Sequence, residues 1–297
     1  MKKFLTIFTP TYNRARTLPR LYSSLCSQSC QDFVWLVVDD GSTDGTGQLI
    51  AQYIAEEKIS IQYYFQENQG KPAAHNFAVT QADSELFVDV DSDDWLPETA
   101  MQRIRKIWKE QKGTSQGVIG ILGKRGKIKD GQVEAITTWK GGNCYATLLD
   151  AQRKYALTGD TILAFRTDTL RKTSFPRFEG ESFVPESYLY DQLEQFGPLY
   201  LADEILYLCE YQSDGLTAHM HEINAKNPRG YEAFVSQRLQ LDRTIKERIS
   251  DTIRYVSIQF VLGNHHILKE AGYKGLAFLV FFLGYMRYKV LYAKYAL

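Results

Sequence analysis

Residues 33–38 (Phe-Val-Trp-Leu-Val-Val) form an unbroken apolar run, stopped by Asp39-Asp40-Gly41-Ser42. A strand without polar alternation must be covered on both faces, which is the situation of a strand inside a parallel sheet. Residues 4–9, up to Pro10, read as an earlier strand of the same kind, and 61–65 and 86–90 as later ones. Between the first two, Leu18, Leu21, Tyr22 and Leu25 recur at three- and four-residue spacing, the period of a helix with one buried face. Residues 71–81 read as a second helix, and Pro97 suits the first turn of a third. Ser42 or Thr43 is placed to cap the next helix. Alternation of this kind predicts an α/β fold, with a mostly parallel, Rossmann-like sheet flanked by helices.

Ligands of such sheets bind beyond the carboxyl ends of the strands. Three loops in that position carry unusual polar residues: 10–13, 39–44 and 91–94. Asp91, Asp93 and Asp94 repel one another unless a cation offsets their charge. Mg²⁺ commonly uses one or two carboxylates together with substrate phosphates. The same cluster also reads as a solvated acidic turn ahead of a helix. Loop 39–46 reads either as a turn with a helix cap or as a place where a carboxylate meets a base N–H and backbone amides meet a nucleotide. Tyr12 could stack on a base or simply pack.

After residue 113 the pattern changes. Glycine and basic residues crowd 123–131, with a hairpin expected at Lys129-Asp130-Gly131. A strand is expected at 160–166, a loop entering a helix at 182–196, and helices from 228 onward. The 297 residues carry 35 basic and 35 acidic side chains, so no global positive field holds nucleic acid and any anion needs a local site. Cys26, Cys30, Cys144 and Cys209 lack the spacing of a zinc site or disulfide framework and read as reduced thiols. Two lysines precede the first apolar run, but that run is short, ends at Pro10 and has no small-residue cleavage site. It reads as a buried strand of a cytoplasmic protein.

Four motifs now stand in order: Phe8-Thr9-Pro10-Thr11-Tyr12-Asn13-Arg14, Val37-Val38-Asp39-Asp40-Gly41-Ser42-Thr43-Asp44, Asn68-Gln69-Gly70-Lys71-Pro72-Ala73-Ala74-His75-Asn76 and Asp89-Val90-Asp91-Ser92-Asp93-Asp94. Together they resemble the signatures of family-2 glycosyltransferases, strongly over residues 3–115, weakly over 116–215 and hardly beyond. The resemblance implies an inverting enzyme with the GT-A fold, here with a helical C-terminal extension. It implies residues 1–225 as the transferase domain, with 1–115 as its nucleotide-binding half and 116–225 as its acceptor half, followed by 226–297. Pro10 and Tyr12 would lie by the uracil of a UDP-sugar, Asn13 would be among the nucleotide-binding residues, and Asp40 with Asp39 would contact the base. Lys71 and Asn76 would support the nucleotide pocket. Asp91-Ser92-Asp93 would be the DxD motif, with Asp93 on Mn²⁺ or Mg²⁺ and Asp91 at the ribose or beside the metal.

Inverting transfer needs a base for the acceptor hydroxyl. In the family this base is usually part of a Glu-Asp pair, and the matching stretch here, 183–191, carries Glu186-Ser187 instead. Glu186 is the expected base and Asp191 the reserve. Asp160, after Gly159, resembles a family position near the sugar and equally suits a turn. His219 is a candidate metal ligand, following a 214–217 loop that could close over the diphosphate.

Residues 275–286 are uncharged and apolar, too short for a bilayer-spanning helix, and 271–297 hold four basic residues and no acidic one. That tail suits a peripheral helix at the inner face of an anionic membrane, a helix docked on the domain, or a homodimer interface. The expected reaction is hexosyl transfer from a UDP-sugar to a saccharide acceptor, one carried on a lipid such as polyprenyl diphosphate in surface polysaccharide assembly. A sugar-phosphate nucleotidyltransferase and a noncatalytic nucleotide-sugar-binding protein are the rival readings. The first usually has a glycine-rich loop after its first strand, and residues 9–16 contain no glycine.

Overall fold

The computed structural model describes residues 2–210, 219–241 and 244–295. The chain divides into two compact units: residues 1–174 with 190–211, and 175–189 with 212–297.

The first unit is built on one sheet. β1 (Leu5–Thr11), α1 (Leu18–Cys26), β2 (Phe33–Asp39), α2 (Thr46–Ala55), β3 (Ile61–Phe65), α3 (Lys71–Gln81), β4 (Leu86–Asp89) and α4 (Ala100–Gln111) alternate as the hydrophobic pattern predicts. β1 pairs in parallel with both β2 and β4, and β2 with β3. Every residue of β2 is buried, as a strand without polar alternation requires. Thr9, on the same face of β1 as Leu5 and Ile7, is used as an acceptor: Trp35 Nε1 donates to its hydroxyl at 3.0 Å.

The later strands complete a mixed sheet. They are β5 (Gly120–Lys129), β6 (Gln132–Ala135), β7 (Cys144–Ala146), β8 (Thr161–Arg166) and β9 (Leu199–Leu208), with α5 (Leu148–Lys154) and α6 (Thr167–Leu170) between β7 and the later loop. The order is β3-β2-β1-β4-β8-β5-β9-β7, with β6 on β5. β8 runs antiparallel to both β4 and β5, so the purely parallel part ends at β4. The 129–131 hairpin is present. Asp130 and Gly131 have φ of 51° and 76°, the positive values that a two-residue turn between twisted strands demands.

Two local expectations differ in the structure. Pro97 lies ahead of α4, where its carbonyl accepts from Ala100 N at 2.9 Å and from Gln28 Nε2 at 2.8 Å. It therefore shapes the exit from the acidic loop and is not a first-turn residue. Neither Ser42 nor Thr43 caps α2. The N-cap is Gly45, at φ 92°, and Asp44 accepts from Thr46 N at 3.0 Å.

The second unit is helical: α8 (Met220–Lys226), α9 (Pro228–Gln240), α10 (Ile245–Val261), α11 (Ile267–Glu270) and α12 (Lys274–Leu291), joined by segment 175–189. The segment is tied in by Asn227, whose Oδ1 accepts from Ser182 N at 2.7 Å and Phe183 N at 3.0 Å. α7 (Ser187–Leu193) runs across the division at residue 189. Thr244 and Glu247 form a reciprocal cap that starts α10. Val235, Val256, Ile258 and Ala277 centre this unit's core. Among the described residues no helix is long and apolar enough to cross a membrane.

α12 approaches α10 where Gly284 faces Val256, and a Cβ at 284 would overlap the valine side chain. Gly284→Leu should therefore destabilise this unit by about 1–3 kcal/mol through overpacking. Denaturant unfolding checks this, with Gly284→Ala expected to cost less than Gly284→Leu because it adds less volume against Val256.

Candidate active site

β1 lies between β2 and β4, where the strand order reverses, and the carboxyl ends of strands at such a switch point are where ligands of open α/β sheets bind. The register aligns Thr11 with Asp39 and Phe8 with Asp89, which brings loops 10–13, 39–44 and 91–94 to one edge. Pro10 pairs beside Val38 one residue before β1 ends at Thr11, and Tyr12 just beyond that end is half exposed. Asn13 adopts φ 54°, a left-handed conformation that asparagine tolerates better than most residues. From there it laces the first two loops together. Its N–H donates to Ser42 Oγ at 2.8 Å, and its Oδ1 accepts from Thr43 N at 2.8 Å. Ala15 N donates to Asp44 Oδ2 at 3.0 Å.

The two aspartates expected at the base are buried and already hydrogen-bonded within the chain. Asp39 accepts from Ser42 N at 2.8 Å and from the Tyr63 hydroxyl at 2.9 Å. Burial and this bond raise the Tyr63 phenol above its ordinary value. Asp40 accepts from Gln66 Nε2 at 2.7 Å, Gln69 N at 2.8 Å and Gly70 N at 2.7 Å. Its position therefore decides where turn 66–70 sits and where α3 begins. Lys71, the first residue of α3, reaches Asp91 Oδ1 at 2.7 Å. Asn76 lies half-buried on the same helix. His75 is core, edge-on to Phe8 and Phe87, with Nε2 at 3.7 Å from Asp89.

The three carboxylates of loop 91–94 have three different environments. Burial alone would raise Asp91, but Lys71 and Arg125 override it and hold the carboxyl below its ordinary value. Asp94 is buried and pushed up to about 7, chiefly by desolvation and further by Asp91 and Asp93, against a hydrogen bond from Tyr207 and the charge of Arg125. The Tyr207 hydroxyl accepts from Asp91 N at 3.0 Å and donates to Asp94 Oδ2 at 2.7 Å. Arg125 lies over the Tyr207 ring at 4.1 Å and 3.7 Å from Asp94. Asp93 is half-buried. Its carbonyl accepts from Arg20, and among the described residues no hydrogen bond or ion pair engages its carboxylate.

Arg125 and Tyr207 were missed by sequence reasoning. Arg125 was hidden in a stretch that read as a basic hairpin, and Tyr207 in an apolar run that carries no motif. Pairing of β5 with β9 brings the two together.

The donor set fits a hard divalent cation. Asp93 offers an uncommitted carboxylate, and Asp91 stands two residues away with one oxygen on Lys71. Among the described residues no group of three His, Cys, Asp or Glu is positioned to hold a metal, so diphosphate and water would complete the shell, as Mg²⁺ prefers. Glu186 is exposed just ahead of α7, and Asp191 is half-buried within it. His219 is exposed at the start of α8, with Nδ1 at 3.9 Å from Glu222. Asp160 gives its carbonyl to the Thr137 hydroxyl, beside Gly159 at φ 79°. The expected closing loop at 214–217 lies outside the described residues.

The sequence model of glycosyl transferase family 2 matches residues 6–171, more than half of the chain and all three loops. The chain belongs to glycosyl transferase family 2. An uncharacterized glycosyltransferase of Nostoc sp. is 32% identical over 119 residues, which is 40% of this chain and 35% of that protein. The poly(ribitol-phosphate) β-N-acetylglucosaminyltransferase TarS of Staphylococcus aureus is 34% identical over 98 residues, 32% of this chain and 17% of that one. This chain thus spans well under half the length of either relative. The crystal structure of TarS 1–349 in complex with UDP superimposes with a TM-score of 0.61 at 19% identity, covering 91% of this chain and 75% of that one. A mannosyltransferase of Pyrobaculum calidifontis in complex with GDP-Man and Mn²⁺ gives a TM-score of 0.56 at 17% identity, covering 99% and 82%. The architecture of this family-2 glycosyltransferase is therefore the GT-A fold, with C-terminal helices following it.

Within the site, Tyr207→Phe strands the Asp91 N–H and Asp94 Oδ2 without their shared partner. A buried pair of this kind left unsatisfied costs about 1–3 kcal/mol. Urea unfolding should show that loss.

Proposed function

We propose that this glycosyltransferase moves a hexosyl group, with inversion, from a UDP-sugar to a hydroxyl of a saccharide carried on a lipid such as polyprenyl diphosphate, at the cytoplasmic face of the membrane during surface polysaccharide assembly. The observation that carries the donor half of this reading is the asymmetry of loop 91–94. Two of its carboxylates are neutralised by Lys71, Arg125 and Tyr207, while Asp93 stands uncommitted at the sheet's switch point. TarS crystallised with UDP supports a uridine donor, and the Mn²⁺ complex of the mannosyltransferase supports a divalent ion. TarS, a transferase to poly(ribitol phosphate) by name, supports a polymer acceptor.

In this reading the exposed ring of Tyr12 stacks on the base, while Pro10 and the Asn13-laced loop form the wall behind it. Asp39 and Asp40 act at the base through the turn they brace, and Lys71 and Asn76 line the nucleotide side of α3. Asp93, with Asp91 beside it, would hold Mn²⁺ or Mg²⁺, which when bound offsets charge on the departing diphosphate. Glu186 accepts the proton of the acceptor hydroxyl as that oxygen attacks the anomeric carbon, and Asp191 is the alternative acceptor. One displacement inverts the configuration.

The donor test is calorimetry on the full chain with UDP-Glc, UDP-Gal, UDP-GlcNAc and GDP-Man, each with Mn²⁺ and with EDTA. A UDP-sugar should bind in a metal-dependent way, and Asp93→Ala should abolish turnover without lowering the melting temperature. Metal-independent binding, or an Asp93→Ala enzyme of normal activity, overturns the metal assignment.

Chemistry is separated from binding by Glu186→Gln, which keeps the shape and removes the proton acceptor. Donor affinity should hold while transfer falls about 10²–10⁴-fold. Normal turnover in this variant, with loss in Asp191→Asn, transfers the role to Asp191.

A further inference from the structure

α12 has two opposite faces. Ala277, Val280 and Gly284 are buried, and Gly284 sits against Val256 of α10. The small residues on this face let the helix dock closely on α10. On the other side Phe278, Leu279, Phe282, Leu283, Met286 and Val290 are between 42% and 77% exposed. At 3.6 residues per turn these six fall within one continuous stripe running most of the helix length. A contiguous apolar stripe of this size on a folded surface marks an interaction site.

The charges decide what the stripe meets. Lys274 and Lys289 are exposed and lie at the two ends of the stripe, roughly 22 Å apart along the axis. No acidic residue occurs from 271 to 297, in a chain whose 35 basic and 35 acidic residues otherwise balance. Two copies pairing through this stripe about a two-fold axis would set lysine against lysine in either orientation, with no carboxylate from the helix to intervene. A bilayer-spanning role is closed to it, since no described helix is long and apolar enough. What remains complementary is an apolar layer edged with negative charge.

We propose that the outer face of α12 lies flat on an anionic lipid bilayer, with the phenylalanine and leucine side chains in the headgroup boundary and Lys274 and Lys289 on lipid phosphates. This names the surface that would hold the chain at the membrane face placed in the transferase reading, but uses none of that reading's site residues and is tested without its activity.

The test is flotation of the full chain with phosphatidylcholine vesicles containing increasing phosphatidylglycerol. Light scattering and a melting curve accompany each protein. Wild type should float with the anionic vesicles, less so as salt rises. Replacing Phe278, Leu279, Phe282 and Leu283 by serine should lower partitioning at least about tenfold and leave melting unchanged, because these side chains face solvent. Lys274→Glu with Lys289→Glu should also lower it at least about tenfold on anionic vesicles, with little effect on pure phosphatidylcholine. Should the serine variant fail to fold, the lysine variant alone decides. The proposal is overturned if wild type ignores anionic lipid or if neither variant changes flotation. It is also overturned if wild type is a dimer that floats with no vesicle and becomes a monomer in the serine variant, which would make a second copy the occupant.

Discussion

Asp40 is the constraint on which the donor edge of the sheet depends. It is buried just beyond the end of β2, where a carboxylate is tolerated only if the chain supplies hydrogen-bond donors. Gln66, Gln69 and Gly70 supply them, and in doing so they fold the turn that delivers α3. The first residue of that helix, Lys71, then crosses to Asp91 at the end of β4. One buried carboxylate thus sets the relation between two loops that are far apart in sequence and share a single edge.

The acidic loop is arranged by the same logic of offsetting charge. Three carboxylates within four residues would repel one another if all were ionised and exposed. Asp91 is held ionised by cations, while Asp94 is desolvated so far that it titrates near neutrality. The repulsion acting on Asp93 is thereby reduced without using its carboxylate. Tyr207 bridges the first and last members of the loop, and Arg125 covers Tyr207, so the geometry of the turn rests on two strands from the later half of the sheet.

The C-terminal helix combines roles that looked exclusive in one dimension. A short apolar tail could be docked or could be membrane-facing. The structure places its small residues inward on α10 and its large ones outward, so docking on the protein leaves the second face available.

Much of this was present in the amino-acid order. The apolar runs before Pro10, Asp39 and Asp91 determined the parallel core strands, since a strand with no polar face cannot lie at a solvent surface. The four motifs determined the family, and their spacing put three polar loops at strand ends. The 129–131 hairpin was legible because only a few residue pairs tolerate positive φ. The tertiary structure decided the rest. That Asp40 braces a turn, that Gly45 and not Ser42 starts α2, and that Pro97 precedes its helix are matters of which donor meets which acceptor. Such matches depend on chain segments brought together by folding. Arg125 and Tyr207 show the same limit most clearly. Neither lies near the acidic loop in sequence, and each became part of the site only when β5 and β9 paired, because charge and hydrogen bonding act over a few ångströms of space and take no account of distance along the chain.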